Sequence, residues 1–150
     1  MKNFTVAKFL GIVFLLSIAA VGCNRTAAAG KPAAGTVSIT TGVWQLSAIQ
    51  RPGGAETAVA KEPSYTAQFG ADNRIAGQAH CNRHMGKYEL GPTGAISITA
   101  GASTLMMCIG ESIADEFLKT LGTITRYETR DGRLILSSGT GARLVFVTGQ

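Results

Sequence analysis

The side chains with the most chemistry in this sequence are two cysteines and two histidines. His80, Cys81 and His84 lie within five residues of one another, and Cys108 follows further along the chain. Thiols and imidazoles in one neighbourhood admit three chemistries. Cys81 and Cys108 would close a disulfide loop of about 28 residues, worth roughly 3–4 kcal/mol through the entropy of the unfolded chain. They would equally serve as two reduced, buried thiols, which pack like small apolar groups. Only the approach of their β-carbons decides between these two. With His80 and His84 they would form a zinc or copper set, since imidazole and thiolate suit those ions. Against a metal, His80 and Cys81 are adjacent and on a strand would point to opposite faces. The expectation is no metal and no cofactor, with the histidines exposed beside a turn. No catalytic residues are expected: no Ser-His-Asp set, phosphate loop or paired acids in a cleft can be assembled. Gly139 and Gly141 read as turn glycines.

The third cysteine, Cys23, has a different setting. Met1 to Lys8 carries Lys2 and Lys8 and no acid, and Phe9 to Ala20 is almost wholly apolar. Twelve residues are short for a membrane span of about 20, so residues 1–22 read as a signal peptide. The run ends Ala19-Ala20-Val21-Gly22-Cys23, which resembles a bacterial lipobox, with Ala20 where Leu is usual. The alternative is an ordinary secretory signal, with Cys23 incidental. The resemblance implies a lipidated Cys23 at the mature N-terminus, where two or three acyl chains anchor stably and one binds only marginally. Asn24 in place of Asp then implies the outer membrane, facing the periplasm. In that oxidising compartment Cys81 and Cys108 are the remaining free thiols. Removal of the leader takes the formal charge from +5 to +3, with 12 bases against 9 acids, and leaves no nucleic-acid signal.

These groups need a scaffold. Residues 23–41, rich in Ala, Gly and Thr, read as a lipidated cysteine and tether. The chain is 45% hydrophobic, enough for a core and against disorder or a coiled coil. One domain, residues 42–150, is expected. Its pattern is short alternating runs: Trp44, Leu46 and Ala48; Tyr65, Ala67 and Phe69; Ile75, Gly77 and Ala79; Tyr88 and Leu90; Ile96 and Ile98. Tyr127, Leu134 with Leu136, and Leu144 with Phe146 follow. Turn chemistry separates them, including Gly91-Pro92-Thr93-Gly94 and Asp131-Gly132. About eight short strands point to a barrel or sandwich. Ile113, Ala114, Phe117, Leu118 and Leu121 instead keep helical spacing, with Ser112 as N-cap and Gly122 as stop. That helix is expected to plug or cover one opening of the curved sheet.

Three stretches together resemble the META domain of HslJ-like bacterial proteins. They are Trp44-Gln45-Leu46; Gly77 to Tyr88, with Cys81, Asn82, Arg83 and Gly86 at the family's motif positions; and Thr104-Leu105-Met106-Met107-Cys108 followed by the acidic helix. His80 stands where a glycine or another small or apolar residue is common. The resemblance covers about 110 residues. It implies a mainly β, lipocalin-like, partly open antiparallel barrel of about eight strands with one helix. It also implies a family without established enzymatic activity, associated with envelope stress and drug tolerance. The function it points to is binding of a small apolar ligand or lipid, the alternative being a strand edge or helix face offered to an envelope protein. A cavity lined by Trp44, Tyr88 or Phe146 would favour the ligand; a packed interior with an exposed apolar patch would favour the partner.

Other candidates have plainer readings. Asn82 is expected to bond nearby backbone in a turn, Arg83 to be a solvated charge, and Trp44 to anchor the barrel. Met85, Met106 and Met107 are expected in the core, although methionines also line adaptable surfaces. Arg126 and Arg130 share a strand face with Glu128, a solvated face that would otherwise touch anionic lipid headgroups.

Overall fold

The computed structural model describes residues 37–149. The signal peptide, Cys23 and most of the tether therefore lie outside the described residues. Nine strands and one helix follow in order: β1 Val43–Gln50, β2 Glu56–Ala58, β3 Thr66–Phe69, β4 Arg74–Ala79, β5 Asn82–Leu90, β6 Ile96–Ser103, α1 Ala114–Leu121, β7 Ile124–Arg130, β8 Arg133–Ser138 and β9 Arg143–Thr148. Eight strands form one antiparallel path, β6-β5-β4-β3-β1-β9-β8-β7, and three-residue β2 pairs beside it with the far half of β1. The path curls until its end segments meet. Ala95 bridges Arg126, and the Arg126 guanidinium donates to the Thr93 carbonyl at 3.1 Å. This is the mainly β, lipocalin-like half-barrel with one helix that the sequence implies.

Alternation in the sequence decides which face is inside. Trp44, Leu46, Tyr65, Ala67, Phe69 and Ile75 are at most 2% exposed, as are Tyr88, Leu134, Leu136, Leu144 and Phe146. The Trp44 indole nitrogen donates to the Ile39 carbonyl at 2.7 Å, and Ile39 is itself in the core, so packed structure begins ahead of Gly42.

Two residues expected inward depart from that pattern, Ala48 and Leu90. The β1–β9 register slips between Leu46 and Ala48, a bulge at Ser47 whose hydroxyl donates to the Val145 carbonyl at 3.0 Å. A bulge inserts one residue and reverses the faces beyond it. Ile49 therefore joins the core, while Ala48, expected inward, packs with Ile135 and Val145 in a separate cluster. Leu90, expected beside Tyr88, is 45% exposed at the end of β5.

The helix closes the barrel as expected from its spacing. Phe117 is fully buried and meets Tyr65, His84 and Phe146 with ring centroids 5.8, 5.7 and 6.3 Å away, each tilted towards edge-to-face, the arrangement aromatic quadrupoles favour. Leu121 is buried beside it. The helix begins one residue later than expected, with Ile113 at the N-cap. Ser112 still accepts the Ala114 N–H at 3.1 Å, and the buried Tyr65 hydroxyl accepts that of Ile113 at 3.0 Å. Replacing Phe117 with alanine should cost roughly 3–5 kcal/mol, the scale of emptying a buried aromatic site. Met107→Ala should stay within about 0.5 kcal/mol of the parent. Urea denaturation of the two variants would check the contrast.

Candidate functional site

The sequence motifs converge where the β4–β5 hairpin meets the linker between β6 and α1. Ala79 pairs with Asn82, so His80 and Cys81 alone make the turn. His80 takes a left-handed φ of 62°, a conformation free to Gly and adopted more often by Asn, Asp and His than by other side chains. The tight turn thus survives where the family commonly has a small residue. Cys81 and Cys108 are joined as a disulfide, their Cα atoms 5.7 Å apart. The bridge fixes the linker to the hairpin.

Asn82 makes a second attachment. Its amide oxygen accepts the Met106 N–H at 2.7 Å and the Thr104 hydroxyl at 2.9 Å. Its NH2 donates to the Met106 carbonyl at 3.1 Å and lies 3.4 Å from the Cys108 sulfur. The Thr104 oxygen in turn accepts the Arg83 backbone N–H at 2.9 Å. Asn82 is structural, as expected, but the backbone it satisfies lies 24 residues away. Arg83 is exposed, as expected.

The methionines overturn expectation. Met85, Met106 and Met107 are 58%, 57% and 98% exposed, and Leu105 and Ile109 are each 95% exposed. The chain is tied at 106 by Asn82 and at 108 by the disulfide, and around those ties Leu105, Met107 and Ile109 stand almost fully in solvent. Leu105 and Ile109 are the candidates that sequence reasoning missed. An apolar run with period two looks like a buried strand, and nothing local says that the core is already full.

The histidines also differ from expectation: both are buried, His80 at 9% and His84 at 5% exposure. The parity argument placed His80 and Cys81 on opposite faces, but they lie in the turn, not in a strand. His84 points inward from β5 and donates from Nε2 to the Thr66 carbonyl at 2.9 Å. Gly77 pairs with His84, and a Cβ there would overlap both that carbonyl and the imidazole, so glycine is needed for the contact. Burial pulls the His84 pKa below its usual 6.5, against the opposing effect of the Thr66 bond. Gly86 likewise lies against the Thr99 carbonyl of β6.

Trp44 and Leu46 serve the core, and the Tyr88 hydroxyl donates to the Gly70 carbonyl at 2.8 Å. None of the three residues expected to line a ligand chamber, Trp44, Tyr88 and Phe146, borders a principal cleft. One of several surface clefts, of about 590 Å3, lies between the β1–β2 turn and the helix entry, lined by Ile49, Val59, Tyr65 and Ile113 among others; another of about 630 Å3 lies over Gln45, Ser47 and Val147. Beside His84, under Leu118 and Leu121, a void of about 60 Å3 remains. Arg126 and Arg130 do share an outer face with Glu128. Arg130 pairs with Glu128 at 3.4 Å, and Arg126 is spent on Thr93.

A helix-plugged, half-open antiparallel barrel with a disulfide-clamped linker defines the class of protein. The chain belongs to the META domain family, whose model matches residues 37–150. It is similar to a Burkholderia xenovorans protein solved by NMR, with 23% identity over 80% of this chain and 97% of that one and a TM-score of 0.63. A DUF4847 family protein from Bacteroides vulgatus, solved by crystallography, shares 14% identity over 74% and 94% of the two chains, with a TM-score of 0.55. At these identities the likeness is one of fold. No curated protein matches the sequence.

Two measurements follow from this geometry. Reducing the bridge with a dithiol should lower stability by roughly 3–4 kcal/mol, read as a fall in melting temperature; an unchanged melt would remove the structural role given to the disulfide. His84 has a folded pKa below its unfolded value, so the unfolded chain takes up a proton first as pH falls below 6.5. Its contribution is intact above pH 6.5 and is lost as pH falls from there towards the folded pKa. Stability compared between wild type and His84→Gln should show a shallower pH slope in the variant across that window.

Proposed function

We propose that this is a non-enzymatic lipoprotein of the cell envelope, held by Cys23 in the outer membrane and facing the periplasm. Its META domain is an interaction module that offers the Leu105–Ile109 loop to an apolar groove on an envelope protein, and so contributes to envelope-stress tolerance. The observation that carries this reading is the loop itself. Leu105, Met107 and Ile109 are 95–98% exposed, yet their backbone is held from both flanks by Asn82 and the Cys81–Cys108 bridge. Prior ordering of the loop lowers the entropic cost of docking, and each apolar side chain buried by a partner contributes about 1.5–3 kcal/mol. The alternative of a small apolar ligand or lipid inside the barrel is less well supported, because Phe117 fills the space among the aromatic residues that would line it.

A photo-crosslinking side chain placed at position 107 of the full, lipidated chain should give one saturable protein adduct in native envelopes. The adduct should disappear in the Leu105→Ser/Ile109→Ser variant and be absent when the probe sits at Arg133 in β8. Adducts to phospholipid alone, or none, would overturn the reading. Cys23→Ser should move the chain from the membrane to the soluble envelope fraction; retention in the membrane would remove the anchor.

A further inference from the structure

We propose that reduction of the Cys81–Cys108 bridge unmasks a binding site for monovalent copper, built from the two sulfurs and the His80 imidazole. One donor atom from each of His80, Cys81 and Cys108 lies within 4.8 Å of the other two. His80 is 9% exposed, and its Nδ1 is buried without a hydrogen-bond partner. A buried ring nitrogen left unpaired is costly, and such groups call for an explanation. The left-handed backbone of the turn at His80 fixes where its imidazole stands relative to Cys81.

The surroundings suit thiolates. The Asn82 NH2 lies 3.4 Å from the Cys108 sulfur and would stabilise negative charge there, as outer-shell donors do at metal centres. Asn82 also holds Met106 through both backbone groups, so Cys108 stays near the hairpin once the covalent bond is gone. The segment beyond it is exposed and reaches Gly110 at a φ of 91°, leaving the sulfur room to adjust. Two soft thiolates and one imidazole match a low-coordinate soft ion, whereas a structural zinc site would require a fourth protein ligand.

The chemistry balances with a dithiol as reductant. One of its thiolates attacks a bridge sulfur and forms a mixed disulfide. Its second thiol displaces the protein sulfur and leaves as the cyclic disulfide, having passed two electrons and two protons to Cys81 and Cys108. A copper(I) ion then binds both sulfurs with release of the two thiol protons, and neutral His80 adds a nitrogen lone pair. In the disulfide state no thiolate is available, so binding is gated by redox state.

The full lipidated chain in detergent, reduced by a dithiol that is then removed without oxygen, would be titrated with copper(I) against a chromophoric chelator. The expected result is one copper per reduced chain, none per oxidised chain, and loss of binding in Cys81→Ser. Affinity should fall at least about tenfold in His80→Asn, since even outer-sphere changes cost that much. X-ray absorption of the reduced, loaded wild type should show two sulfurs and one nitrogen around the metal, independent of any variant's folding. Equal binding by the oxidised chain, no binding by the reduced chain, or a shell without nitrogen would overturn the proposal.

Discussion

The structure turns on the placement of one side chain, Phe117, in the mouth of a sheet that does not close on itself. A half-barrel of eight paired strands has a concave apolar face with too little of its own bulk to fill it. Phe117 supplies that bulk by touching Tyr65 on the way into β3, His84 on β5 and Phe146 on β9, elements far apart along the sheet path. The ring therefore joins distant parts of the curl through one contact set. It also places a protein side chain in the mouth, where barrels commonly receive ligands.

Filling the mouth with a helix has a consequence for the chain leading into it. The segment from Thr104 to Ile113 crosses the rim from the end of β6 to α1; Ile113 packs against the core, whereas Leu105, Met107 and Ile109 stay in solvent. Left free, such a segment would flop and collapse onto the nearest apolar surface. Here it is fixed at Met106 by two hydrogen bonds to the Asn82 side chain and at Thr104 by a third, and at Cys108 by a covalent bond. With residues 106 and 108 tied to the hairpin and the mouth already filled by Phe117, Leu105, Met107 and Ile109 are left in solvent.

Much of the barrel was legible because a half-buried strand must alternate and a plugging helix must keep its stripe. Tyr65, Ala67 and Phe69, or Leu144 and Phe146, need no more than their spacing to be placed inside. What alternation does not carry is a change of phase. The bulge at Ser47 sends Ile49 inward and Ala48 outward, and its signal is a hydroxyl reaching a partner 98 residues away. Parity failed at His80 for a related reason: a two-residue turn at left-handed φ obeys neither strand nor helix periodicity. The methionines failed for a third. Whether an apolar run is core or surface depends on whether the core has a vacancy, and that is a property of Phe117, not of residues 105–109. At the clamp, sequence reasoning reached the cysteine pair and the structural role of Asn82 but not the surface they hold out.

Fold and site answer to different demands in this family, and a shared fold carries no role by itself. Trp44, Leu46 and Tyr88 keep the barrel in register and have no exposed chemistry. The chemistry gathers at one rim: a buried histidine in a tight turn, a sulfur pair, and a loop of exposed side chains. Leu105, Met107 and Ile109 are almost fully exposed and so bury little apolar surface on folding. They sit together within one clamped turn-and-linker unit, apart from the partly exposed Val43 and Leu90. Asn82 joins the parts of that unit: it is bonded to Met106 through both backbone groups and lies close to the Cys108 sulfur, so the hairpin holds the linker at two neighbouring points.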